Sequence, residues 1–156
     1  MPEPVPRPDA PFIAQMEALL DMAAPRLGHW ADSEAERRLK RKHWTRKEAL
    51  GHLVDWAAAH QQWFASALVE STLVARGYPA EEWVAAQKYN EYLWLELVEL
   101  WVRLNRLLVH VMERIPPEKL SMECRIGIAS PITLATLASN YVEHCVDITG
   151  QILTHG

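Results

Sequence analysis

His52 in GHLVDWAAAH and His144 in NYVEHCVD are the residues whose type and placement could do chemistry together, each on the apolar stripe of a long predicted helix. An imidazole turned into a bundle needs a partner for its ring nitrogens, and a divalent cation bound between helices would be a functional one. If the two helices pack side by side, both rings can converge on one ion without deforming either helix, because imidazole nitrogens coordinate at about 2.0 to 2.1 Å. The candidate third ligand is Asp147. It lies three residues after His144, roughly 60° around the helix, as in the Glu-x-x-His pairs of bundle metal sites. His52, His144 and Asp147 would form a two-histidine, one-carboxylate face suited to Fe(II), Mn(II), Ni(II) or Zn(II), with positions open to water and substrate.

A second assignment stays open beside the first. Asp147 falls toward the edge of the buried arc, on the side of Asn140 and Gln151, while Ile148 takes the more inward position and cannot ligate. His60, two turns from His52, is a fallback ligand that packing would have to bring round. Without a metal, each histidine is a neutral ring hydrogen-bonded to a carboxylate, a tyrosine or a carbonyl. Cys145 adjoins His144, but neighbouring helix positions diverge by roughly 100°, which rules against a thiol and its base. Trp56, Trp63, Trp83 and Trp94 could line an apolar ligand pocket or simply fill the core.

Four helices are needed to carry these residues. The first is predicted from Phe12 to Pro25, where proline should end it. Residues 26 to 44 read as a polar connection, and Thr45-Arg46-Lys47-Glu48 as a capping box that opens the helix bearing His52. After the Gly-Pro punctuation of residues 71 to 80, one long helix is predicted from Pro79 to about Ile115, stopped by Pro116-Pro117. Residues 116 to 130 form an irregular connection in which Arg125-Ile126-Gly127-Ile128 could be extended. Ser130-Pro131 then starts the last helix, whose Leu134, Leu137, Tyr141, His144, Ile148 and Ile152 make an interhelical seam. The expected fold is an all-α, antiparallel four-helix bundle with no sheet, in one domain spanning residues 1 to 156, with residues 1 to 10 flexible.

Composition narrows the partners. With 156 residues and 49% hydrophobic content the chain can bury one substantial core. Its formal charge of −4 is spread evenly, so a nucleic-acid surface is not expected. The basic run Arg37 to His43 reads as a solvated stretch. No segment is long and apolar enough to span a membrane, and the start MPEPVPRPDAP lacks the apolar core of a secretion signal, so a cytoplasmic location is expected. Cys124 and Cys145 have neither disulfide nor zinc-knuckle spacing.

The run Trp44-Thr45-Arg46-Lys47-Glu48 through His52-Leu53-Val54-Asp55, the pieces Gly77-Tyr78, Trp83 and Gln87 to Tyr89, and the closing Asn140-Tyr141-Val142-Glu143-His144 with Gln151-Ile152 resemble the DinB-like superfamily of bacterial helical proteins over residues 10 to 154. The resemblance implies a four-helix bundle of unusual helix order, often a homodimer, with a divalent-metal site of three histidines. His52 matches the first of them and His144 the second. The third falls at Ile148, so the pattern is broken at one ligand: Asp147 substitutes, the metal binds weakly, or the site is lost. Members include thiol S-transferases using low-molecular-weight thiols, a thiol-dependent isomerase and metal-dependent hydrolases. Two functions are therefore expected to compete: a metal-dependent transferase or hydrolase acting on a small molecule, and a metal-free bundle that binds a small ligand or dimerises.

Overall fold

Thr45 caps its helix as the sequence predicts: its hydroxyl accepts from the Glu48 amide at 3.1 Å, and the Glu48 carboxylate accepts from the Thr45 amide at 3.0 Å. In this computed structural model, residues 11–40 and 43–154 are described; the N-terminal ten, expected to be flexible, lie outside the described residues. In chain order the elements are α1 (Pro11–Gly28), α2 (Asp32–Ala35), α3 (Arg46–Val69), β1 (Leu73–Ala75), α4 (Ala80–Gln87), α5 (Trp94–Glu113), β2 (Glu123–Ile126), β3 (Ile132–Thr133) and α6 (Leu134–Thr154). Short 3-10 turns sit at Tyr89–Glu91 and Pro117–Lys119.

The four long helices are α1, α3, α5 and α6, and they form a four-helix bundle. Both α1 and α3 pack against α5 and α6, so α1 stands diagonally across the core from α3, and α5 from α6. The apolar seam of α6 faces inward as its spacing predicts, with Leu134, Tyr141 and Ile148 fully buried. Polar ties hold the connections to the bundle. Asp32 accepts from the buried Lys47 ammonium at 2.8 Å and from the Trp94 amide at 2.8 Å, joining α2, α3 and α5. The Lys119 ammonium donates to the carbonyls of Ala67, Leu68 and Glu70, satisfying groups left open at the C-terminal end of α3.

The structure departs from the expected elements in three places. Helix α1 runs past Pro25 to Gly28, because Leu27 is fully buried and its carbonyl accepts from the Trp94 indole at 2.8 Å. The single helix expected from Pro79 to Ile115 is broken: Lys88 takes a left-handed conformation, φ 52°, and the chain turns before α5. That turn delivers the Tyr89 hydroxyl to Asp55 at 2.6 Å, a tertiary gain that no helical periodicity records. A small sheet forms where none was expected. Strand β1 pairs in parallel with β2 and β2 pairs antiparallel with β3, in strands of three, four and two residues, too short to leave a period-two signal.

Gly51 is required by close approach. A Cβ placed there would stand 2.2 Å from Cδ2 of the Tyr89 ring, which packs directly on the α3 backbone. Gly51→Ala is therefore expected to destabilise the fold by about 1 to 3 kcal/mol or more, read as a lowered urea midpoint with an unchanged slope.

Candidate metal centre between α3 and α6

The bundle brings His52 and His144 together. Their Nε2 atoms stand 2.8 Å apart, with the ring planes nearly perpendicular at 86°. At this separation one ring nitrogen donates and the other accepts, so the two imidazoles cannot both carry that inward proton. His52 is buried, whereas His144 is half-buried and opens the pair outward. Aromatic rings close the remaining sides. Trp44 lies 4.9 Å from His52 and Trp56 lies 4.6 Å from His144, centroid to centroid.

These rings are themselves held. The Trp56 indole donates to the Tyr141 carbonyl at 3.3 Å and stacks parallel to the Tyr141 ring. The Tyr141 hydroxyl bonds in turn to the buried Asn105 side-chain carbonyl, and the Asn105 amide donates to the Trp101 carbonyl at 2.8 Å. A polar relay on an apolar floor thus fixes the wall of the site from α3 through α6 to α5. Three residues after His52 along α3, Asp55 is buried and accepts from the Gln87 amide at 2.9 Å as well as from Tyr89. Burial raises its carboxyl above the usual range, against the two hydrogen bonds that pull it down.

The other candidates lie elsewhere. Asp147 is exposed on α6, where its carboxylate accepts from the Gln151 amide at 3.3 Å. Ile148, at the position where the resemblance places a third ligand, is fully buried and has no donor atom to offer a metal. His60 is buried against Tyr141 and Trp63, with its Nδ1 donating to the Trp56 carbonyl at 2.7 Å. Burial drives its imidazole down to about 3, so it is a neutral core histidine. Burial likewise pushes the Cys145 thiol up to about 12, which leaves no thiolate at neutral pH. Among the described residues, no three His, Cys, Asp or Glu side chains gather as a group able to hold an ion.

Two of the donors nevertheless suit a divalent cation. Nitrogens bound at about 2.0 to 2.1 Å and subtending 90 to 110° at a metal stand roughly 2.9 to 3.4 Å apart, so the observed pair is within a few tenths of an ångström of that spacing. The tie between Asp55 and Tyr89, which fastens α3 to the turn before α5, was not foreseen from the sequence. Asp55, one turn after His52, was visible as His-x-x-Asp, and its partner Tyr89 was hidden inside an expected helix.

No protein-family model matches the sequence, and no curated protein matches it. Solved structures do match by shape. YfiT from Bacillus subtilis, described as a probable metal-dependent hydrolase with an unusual four-helix bundle topology, superposes with a TM-score of 0.83 at 17% identity, over 97% of this chain and 89% of that one. The mycothiol-dependent maleylpyruvate isomerase superposes at 0.75 and 12% identity over 94% of this chain, which spans 61% of the isomerase. A point mutant of that isomerase gives a TM-score of 0.76 at 11% identity. The diagonal order of the helices and these superpositions together identify the fold as a four-helix bundle of the unusual topology described for YfiT.

Proposed function

We propose that this chain is a metal-dependent enzyme of the hydrolase or thiol-transferase kind, acting on a small molecule at the mouth between α3 and α6. The observation that carries this reading is the 2.8 Å approach of the His52 and His144 Nε2 atoms. These two imidazoles would hold the ion, of the Zn, Ni, Mn or Fe type. Bound there, a divalent ion would supply Lewis acidity, lowering the pKa of a thiol or a water molecule. The mycothiol dependence of one structural neighbour and the hydrolase description of another support a low-molecular-weight thiol or a hydrolysable substrate as the reactant.

The chain's own residues supply positioning and exclusion of water. Trp44 and Trp56 flank the pair and fix the tilt of each ring, while Tyr141 and Asn105 keep Trp56 from swinging into the mouth. Ile148 leaves one family ligand position without a donor, so more of the coordination sphere would belong to solvent and reactant than in a three-histidine site. Asp147 would contribute only by leaving Gln151. The buried Ile148 is also what favours the alternative, a metal-free bundle in which the two rings simply hydrogen-bond to each other.

Thermal melting separates the two readings. With Zn²⁺ or Ni²⁺ at about one hundred times its dissociation constant, native-state binding adds roughly 2.7 kcal/mol, a rise of about 5 to 10 °C for a chain of this size, reversed by chelator. Asp147→Asn is expected to keep that rise within about 2 °C, and a loss of the whole rise would move the carboxylate into the ligand set. A melting temperature indifferent to every divalent ion tested would establish the metal-free reading.

A further inference from the structure

Between α3, α4 and α5 the surface opens into a groove of about 640 Å³, lined by Asp55, Trp83, Gln87, Tyr92 and Leu100 among others. That volume falls within the range of small-molecule sites, roughly 300 to 1,000 Å³. Trp83, Tyr92 and Leu100 are large apolar side chains left exposed there, and the Tyr78 ring, 4.7 Å from that of Trp83, steadies one wall.

The floor of the groove is short of protons. Asp55 is 4% exposed, and the Gln87 Nε2 atom stands 2.9 and 3.0 Å from its two carboxylate oxygens and 3.1 Å from the Trp83 carbonyl oxygen. An amide nitrogen has only two protons for those three acceptors. The Tyr89 hydroxyl gives its one proton to Asp55 at 2.6 Å, yet it also meets the Gln87 carbonyl oxygen at 3.0 Å. Five close contacts thus share three protons. A primary ammonium carries three protons and a full charge on one nitrogen, so at the position of Nε2 it would satisfy every acceptor that the amide serves incompletely. The surroundings suit a cation. Among the described residues no lysine or arginine pairs with Asp55. Helix α4 ends in the groove wall at Gln87 with no basic side chain in its last turn, which adds the negative end of its dipole. Glu91 and Lys88, both exposed at the rim, offset each other.

We propose that this groove binds a small primary amine, its ammonium group taking the place of the Gln87 amide between the Asp55 carboxylate and the Trp83 carbonyl, and its apolar body lying against Trp83, Tyr92 and Leu100. Gln87 is exposed, so its side chain can leave toward water as the amine enters. The site shares no residue with the His52–His144 pair and needs no metal there.

The test is calorimetric titration of the full chain with 2-phenylethylamine at pH 7, chelator present. One-to-one binding is expected with a Kd at or below about 1 mM. 2-Phenylethanol, which lacks the charge, and the N-trimethylated amine, which keeps the charge but lacks the protons, should each bind at least about ten-fold more weakly. Gln87→Ala removes the internal competitor and should tighten the amine at least about three-fold, an effect that a purely structural glutamine would not produce. Asp55→Asn should weaken it at least about ten-fold in protein shown by circular dichroism to be folded, and Trp83→Ala, at an exposed position, should weaken it without that concern. No binding up to about 10 mM amine, equal affinity for the alcohol or the trimethylated amine, or a Gln87→Ala variant that binds no more tightly would each overturn the proposal.

Discussion

His144→Ala is expected to abolish the metal-dependent rise in melting temperature and to weaken Zn²⁺ or Ni²⁺ binding by more than about 100-fold, since even groups that merely orient ligands are worth ten- to a hundred-fold. The change removes one of only two imidazoles that meet, and neither Ile148 nor the exposed Asp147 stands ready to take its place. Because the ring is only half-buried, the metal-free variant should fold and melt within a few degrees of the parent. Calorimetric titration of tag-free protein, after chelator and with the metal added back, reads the effect. Stoichiometric binding that survives the substitution would remove His144 from the site. The same titration on His52→Ala should show a comparable loss, but His52 is buried against Trp44, so its refolding must be checked separately.

The second large effect is expected in acid. His60 has an unfolded value near 6.5 and a folded value of about 3, set by burial first, opposed by its bond to the Trp56 carbonyl and reinforced by the nearby His144. Its folded pKa is depressed, so the native state is fully favoured above pH 6.5. As pH falls below 6.5, the unfolded chain binds a proton that the native chain refuses. Stability should then decline by up to about 1.4 kcal/mol per pH unit until roughly pH 3, a total on the order of 5 kcal/mol. Asp32 adds to the loss at the acid end, because its bonds from Lys47 and the Trp94 amide hold its carboxyl below the usual range. Asp55 works the other way, its raised carboxyl favouring the native state as it protonates. Urea midpoints measured with chelator at pH 7, 5.5 and 4 should fall steeply for the parent. His60→Asn keeps a side-chain amide that can reach the Trp56 carbonyl but cannot titrate, and its midpoint should change far less over that range. Equal slopes for the two proteins would place the acid sensitivity elsewhere.

Where a residue's neighbours in space are its neighbours on one helical face, the sequence was a good guide. The Thr45 capping box, the inward row of α6 and the inward turn of both histidines all follow from local spacing and burial. Legibility ended where distant groups compete with local propensity. Residues 79 to 115 read as one helix because their apolar spacing is continuous, yet the Asp55 carboxylate and the Gly51 surface hold Tyr89 in a way only a chain reversal at Lys88 allows. Pro25 reads as a stop, yet burial of Leu27 outweighs the one backbone bond the proline forfeits. At the candidate site, sequence spacing could place Asp147 within reach of His144 but could not tell that its carboxylate pairs with Gln151.

The diagonal helix order also governs when the centre can exist during synthesis. Since α6 is made after the other three long helices and lies against both α1 and α3, a nascent polypeptide lacking it has a core open along one whole side and a solitary His52. Any cation held by the pair would thus wait for α6 to be made, and translation products that stop before α6 would carry an exposed apolar trough suited to chaperone capture.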